Sequence, residues 1–215
     1  MTAFDLYKQL LACRTPSACD AFDAHVLACI IAAGAAEAVL DGSLAEALGF
    51  NAQPLRALLD TYFPGALQLL EPFGLDCTVE VGVDEQCLRE LLVRFRTSPA
   101  QLSTLLSTLV ARRATRPNHL WQDLGLANRN ELSRLMQRHF APLALRNRQD
   151  MKWKKFFYRM ICSEEGFRLC SAPCCAECSD FSACFGDESG ESLLAHVRLQ
   201  TETPPWNAPG AVCTQ

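Results

Sequence analysis

The sequence predicts an all-α protein, and three observations carry that reading. Leu and Ala dominate an apolar fraction of 49%, while β-branched residues are sparse, a balance that favours helix over sheet. Leucines recur at helical spacing, as in Leu55, Leu58 and Leu59 and again in Leu102, Leu105, Leu106 and Leu109. Gly and Pro punctuate the chain into short segments at Gly42, Gly49, Pro64, Gly65, Pro99, Pro117 and Gly125. A chain of 215 residues is long enough to bury a core of its own.

Taken in order, residues 5–140 read as successive helices with short breaks. Residues 25–40 form the most apolar stretch, Ala-rich and interrupted by Gly34 and Glu37, and are expected to be a buried helix and not a membrane span. Residues 78–83 are the one strand-like piece, too short to build a sheet. Residues 147–161 are expected to form a helix with Trp153, Phe156, Phe157, Met160 and Ile161 on one face. Arg148, Lys152, Lys155 and Arg159 form a separate basic stripe. After an acidic patch, residues 191–199 read as a short helix, and residues 201–215, rich in Pro, as an irregular tail.

A repeat runs through the first part. Residues 44–50 line up with residues 120–126, 76 positions later, and Val26, Cys29 and Ile30 line up with Leu102, Leu105 and Leu106. After a one-residue insertion, Leu55, Leu58, Leu59 and Phe63 match Leu132, Leu135, Met136 and Phe140. The chain therefore divides into a helical body over 1–145 with repeat units at about 26–63 and 102–140, a basic–aromatic helix with a cysteine-rich segment over 146–200, and the tail. Cys29 occupies a leucine position and is expected to be a small buried residue. Chance similarity between leucine-rich helices is the competing account. Residues 124–140 also have the look of a helix-turn-helix, with Arg129, Arg134 and Arg138 facing phosphates. The companion unit has only Arg56, which favours packing over DNA binding.

Charge is distributed unevenly. Residues 1–90 carry 4 basic and 13 acidic side chains, residues 91–160 carry 14 and 3, and residues 161–215 carry 2 and 8, within a net charge of −4. A basic middle between acidic ends points to an anionic ligand, an acidic partner or pairing within the chain. The start, MTAFDLYKQL, has no basic region leading into an apolar one, so no export signal is expected. Twelve cysteines then point to a reducing cytoplasm and thiolate chemistry.

Six of those cysteines fall between Cys162 and Cys184. Cys170, Cys175, Cys178 and Cys184 form C-x4-C-x2-C-x5-C, with Cys174 beside the second. A C-x2-C pair aims two thiolates at one metal, and the longer spacers let the chain close the coordination. A compact all-cysteine run suits an iron–sulfur cluster. Structural zinc ranks second, because it favours two separated knuckles or an added His, and His196 reads as a surface residue. Thiols without metal rank third, since they would be left open to oxidation. The basic stripe beside this segment would ease the holding of an anionic cargo. No Ser/His/Asp or paired-carboxylate arrangement stands out, so no enzyme is expected.

The run MKWKKFFYR at 151–159, followed by Cys162, Glu165, Gly166, Phe167, Cys170, Ala172, Pro173, Cys175, Cys178, Asp180, Phe181, Cys184, Phe185 and Gly186, resembles the NifQ family. So do Arg112 and Arg113, HLWQDLGL at 119–126 and ELSRLM at 131–136, with a weaker match at Tyr62, Phe63 and Pro64. The resemblance implies a molybdenum carrier of nitrogenase cofactor assembly that holds a molybdenum–iron–sulfur cluster. It implies delivery toward the cofactor-assembly scaffold and the nitrogenase iron protein, with molybdate or a molybdenum-containing cluster as the incoming form. It implies ligation by Cys170, Cys175, Cys178 and Cys184, with Cys174 able to stand in for Cys175. The alternatives are an iron–sulfur redox sensor that binds DNA and a zinc-stabilised interaction module.

Overall fold

Every residue from 26 to 35 is buried, on all sides of one helix. Such a helix has no polar face to give to water, so the rest of the chain must wrap it. The computed structural model describes residues 1–164 together with Cys184, Gly186 and Glu188. Within them the regular structure is all helical: α1 (Ala3–Ala12), α2 (Ala21–Asp41), α3 (Leu44–Leu48), α4 (Ala52–Tyr62), α5 (Leu67–Leu70), a 3-10 turn at Glu71–Phe73, α6 (Val83–Arg94), α7 (Gln101–Ala114), α8 (Leu120–Asp123), α9 (Arg129–His139), α10 (Ala141–Ala144) and α11 (Trp153–Glu164).

The central helix α2 packs on α1 and α3, and α3 in turn meets α7. On the other side α7 lies along α6, and α6 receives α11. Close approach of α3 to α2 depends on Gly34, where an added Cβ would come within 2.9 Å of Leu48 Cδ2. By length and composition α2 could cross a membrane, yet most of it is buried inside the fold, as the core reading expects. Cys29 is buried among its apolar neighbours, also as expected. Side chains of Thr2, Asp20, Ser43 and Asn128 cap the first turns of α1, α2, α3 and α9, worth about 1 kcal/mol each.

Positions 76 residues apart, or 77 after the one-residue insertion, share backbone geometry. Gly49 after α3 and Gly125 after α8 take left-handed conformations with φ of 74° and 72°. Phe50 N–H donates to the Ala45 carbonyl, and Leu126 N–H to the Trp121 carbonyl. Phe63 and Phe140 close α4 and α9 with φ of −139° and −135°, both fully buried. Arg113 sits where the two units meet. Its guanidinium donates to the Ala47 and Asp123 carbonyls and pairs with Glu37 at 2.6 Å.

Two expected elements differ. Residues 78–83 are not a strand, and no strand occurs among the described residues. The stretch leads irregularly into α6, and Val79 N–H donates to the Asn51 side chain at 2.9 Å. The helix expected over 147–161 begins only at Trp153. The Asn147 side chain bonds both the N–H and the carbonyl of Met151, and Asp150 adopts φ 53°, so residues 147–150 make a turn in place of a first helical turn. Arg148 lies in that turn, which removes it from the helical stripe.

Part of the uneven charge is resolved by pairing inside the chain. Arg138 pairs with Asp20 and Asp23, Arg113 and Arg116 with Glu37, and Arg89 and Arg112 with Glu85. Glu131 ties α9 to α2 and α1, accepting from His25 Nε2 at 3.3 Å and from the Ala127 N–H, while His25 Nδ1 meets the Tyr7 hydroxyl at 2.9 Å. Burial opposes the charged carboxylate, but the bonds from His25 and Ala127 outweigh it and hold Glu131 below its ordinary value of 4.5. The unfolded chain then binds more protons than the folded one in that range, so this stabilisation is lost as pH falls below 4.5 through the lower folded value. Urea melts of the native chain should weaken more steeply below that pH than those of Glu131→Gln. Equal slopes would remove Glu131 from the acid transition.

Candidate metal centre

The cysteine-rich segment follows α11 in the sequence. That helix forms because Trp153, Phe156 and Phe157 recur on one face and bury there, with Phe157 fully enclosed. Met160 and Ile161 continue the face and are partly buried against the core. Cys162, in the last turn, is half-buried. Of the four expected ligands, Cys184 is described; Cys170, Cys175 and Cys178 lie outside the described residues, as do Cys174, His196, residues 191–199 and the tail.

Cys184 is half-buried and packs against the core. Its carbonyl accepts the Lys152 N–H at 2.8 Å, so the chain is held on the body just ahead of α11. Four residues on, Glu188 is 6% exposed in its side chain and pairs through Oε1 with Arg129 at 2.9 Å and His119 at 3.6 Å. Arg129 also donates to the Asp150 carboxylate and to the carbonyls of Asp150 and Met151. One guanidinium thus joins the start of α9, the turn before α11 and the chain after Cys184, the last cysteine of the motif. Cys162 on α11 and this clasp at 184–188 bracket the residues that carry the other thiols.

Two cysteines of the body, Cys19 and Cys29, are poor thiolates. Burial, then the nearby Asp23 and Asp20, pushes the Cys19 thiol up to about 11, and burial pushes Cys29 higher still. None of the described cysteines forms a disulfide. Among the described residues no group of three or more His, Cys, Asp or Glu side chains is arranged to hold a metal ion.

Two long-range arrangements escaped the sequence pattern. Ser103 Oγ, His139 and Asp23 form a hydrogen-bonded chain at 3.2 and 3.0 Å. Their residue types match a nucleophile–base–acid set, but they are 3%, 6% and 4% exposed, with no opening for a substrate at Ser103 Oγ. As placed, the chain staples α7, α9 and α2. The residues lie 36 and 116 positions apart, so no local signal reveals it. The helix-turn-helix reading of residues 124–140 meets a second arrangement. Arg129 is clasped as above, Arg138 is paired with Asp20 and Asp23, and Arg134 lies 4.0 Å over the Phe22 ring. The three side chains that would face phosphates are engaged within the fold.

A family model described as NifQ matches residues 26–186, a range that takes in the whole cysteine motif. A Protein NifQ homolog of Sinorhizobium fredii is 40% identical over 174 residues, covering 80% of this chain and 75% of its own. The Protein NifQ of Rhodobacter capsulatus is 39% identical over 168 residues, 77% of this chain and 91% of its own. That of Azotobacter vinelandii is 34% identical over 152 residues, 66% of this chain and 78% of its own. No solved structure matches the chain.

Proposed function

This chain belongs to the NifQ family of nitrogen fixation, and from that premise we propose that it is a cytoplasmic carrier and not an enzyme. Its cargo is molybdenum, held with iron and sulfide on the cysteine segment and handed to assembly of the nitrogenase iron–molybdenum cofactor. The single observation that carries this reading is the C-x4-C-x2-C-x5-C run from Cys170 to Cys184. Its last member is anchored to the body through Lys152, with Glu188 and Arg129 clasped just beyond.

Cysteine thiolates are soft donors and suit iron bridged by sulfide. Molybdenum must leave, so it keeps at least one ligand that can be exchanged. A segment anchored at its ends and carrying its thiols between them meets both needs better than a closed core site. The recipients on this reading are the cofactor-assembly scaffold and the nitrogenase iron protein, and the incoming form is molybdate or a molybdenum-containing cluster.

Protein purified without oxygen and analysed for iron, molybdenum and sulfide tests the proposal. The native chain should carry all three, and Cys178→Ala should lose most of its iron and molybdenum. Full metal content in Cys178→Ala would sink the ligand assignment, and a colourless, air-stable native protein with about one zinc per chain would sink the cargo. Cys174→Ala and Cys175→Ala, compared side by side, decide which of the two adjacent thiols ligates.

A further inference from the structure

Of the seven large apolar side chains exposed among the described residues, four stand at the two ends of α6. Val81 and Val83 flank its start, Val83 being 80% exposed. Val93 lies in its last turn. Leu145, 72% exposed, precedes Arg146, whose guanidinium sits 4.4 Å over the ring of Phe95, the residue that closes α6. The two ends carry opposite charge. Glu80 and Asp84 are exposed at the start, and Arg146 is exposed at the finish with Arg96 half-buried beside it. None of these four side chains is ion-paired among the described residues. We infer that the outer face of α6 is a docking surface for a second copy of this chain. The two helices pack antiparallel across a two-fold axis, so that the acidic end of one meets the basic end of the other.

Val83, Gln86, Glu90 and Val93 follow at spacings of three, four and three, which puts them on one stripe, and all four are exposed. Gln86 and Glu90 bond to each other at 2.7 Å in its middle. Val83 and Val93 are about 15 Å apart along the axis. Both charged ends therefore share a face, and one two-fold rotation about its midpoint satisfies two equal contacts and closes the pair. Parallel pairing would set like charges together. A wholly acidic partner would meet repulsion at the start of α6 and a wholly basic one at its finish, whereas a copy of this chain matches both.

Both ends are also held in place, which lowers the cost of ordering them on association. Arg112 donates to the Glu80 carbonyl at 2.9 Å, and Asn51 accepts the neighbouring Val79 N–H. The Arg96 guanidinium donates to the Val93 carbonyl and the Thr104 hydroxyl. Thr97 ties the same end to His139 and Ala141. A face one short helix long is small beside a stable dimer interface, so the pair is weak and salt-sensitive, with a Kd on the order of 10–100 μM at low salt. This inference goes beyond the carrier reading and does not rest on it.

Sedimentation velocity of the full chain, under reductant and without oxygen to prevent disulfides between copies, tests it. At about 200 μM the native chain should be mostly dimeric in about 0.02 M salt and mostly monomeric in about 0.5 M. Glu80→Lys with Asp84→Lys makes both ends basic, and Arg96→Glu with Arg146→Glu makes both acidic. Each form alone should associate at least about tenfold more weakly, and an equimolar mixture should recover the association, because every altered end then meets its opposite. Far-UV circular dichroism checks that both forms are folded. Val83→Ser and Leu145→Ser, surface changes that leave the charges alone, should each weaken the native pair by about three- to tenfold. A native chain that stays monomeric in low salt overturns the inference. So do dimers that persist in both charge variants, or a mixture of folded variants that stays monomeric. Should a charge variant fail to fold, unchanged association in both serine variants overturns it instead.

Discussion

Asp123→Ala is expected to lower the free energy of unfolding by about 3–5 kcal/mol, because it breaks a buried ion pair from one side. The Asp123 side chain is 3% exposed and meets Lys154 Nζ at 2.5 Å, with Lys154 itself 18% exposed. Asp123 Oδ1 also accepts from the Asn118 side chain at 3.1 Å, and Lys154 donates to the Arg116 carbonyl. Burial already holds the Lys154 amine below its ordinary value of 10.5, with Asp123 working against that shift. Without Asp123 the amine is driven lower. The unfolded chain then binds more protons than the folded one, so the stability of the variant should rise with pH toward 10.5 more steeply than that of the native chain. Lys154→Met in the same chain removes the stranded charge and should recover much of the loss. Urea melts at pH 7 and pH 9 measure both effects. A loss under about 1 kcal/mol, or no rescue by Lys154→Met, would show that the pair does not lock α8 to α11.

Arg129→Ala is expected to open the clasp at the end of the cysteine segment while leaving the helical body folded. The guanidinium holds Glu188, the Asp150 carboxylate and two backbone carbonyls. Hydrogen bonds to charged groups are worth about 1.5–3 kcal/mol each, so the loss falls on the local structure that they join. The Lys152 amide reports it, since its partner is the Cys184 carbonyl. Its hydrogen exchange should quicken by about 10–100-fold, whereas amides in α2 should keep their protection. Arg129→Lys keeps the charge without the fork and should fall between the two. On the carrier reading, Arg129→Ala also sheds iron and molybdenum faster on gel filtration without oxygen. Unchanged exchange at Lys152 would show that Cys184 is held by other means.

Much of the fold is visible in the residues because helices are built from neighbours. The spacing of Leu55, Leu58 and Leu59 and of Leu132, Leu135 and Met136 identifies α4 and α9 from positions three and four apart. Glycines at 49 and 125 mark the left-handed turns that follow α3 and α8. The start of α11 was misplaced because the periodicity of 147–161 is helical, whereas Asn147 finds better partners in the Met151 backbone and Arg129 holds Asp150 from another helix.

By itself the sequence determined the all-helical class, the buried central helix, the cysteine run with its spacing, and the family that these residues resemble. Each of those is written in short-range pattern, where periodicity, turn residues and ligand spacing act within a few positions. Only the tertiary structure decided what the charged residues do. Arg129, Arg134 and Arg138 look from the sequence like one phosphate-facing set, yet they hold Glu188, Phe22 and the pair Asp20 and Asp23. Arg148 and Arg159, read as one helix stripe, instead meet Arg146 across a turn to line a cavity. A long flexible cation takes its partner from whatever the packing of distant helices brings within reach, and no local spacing encodes that choice.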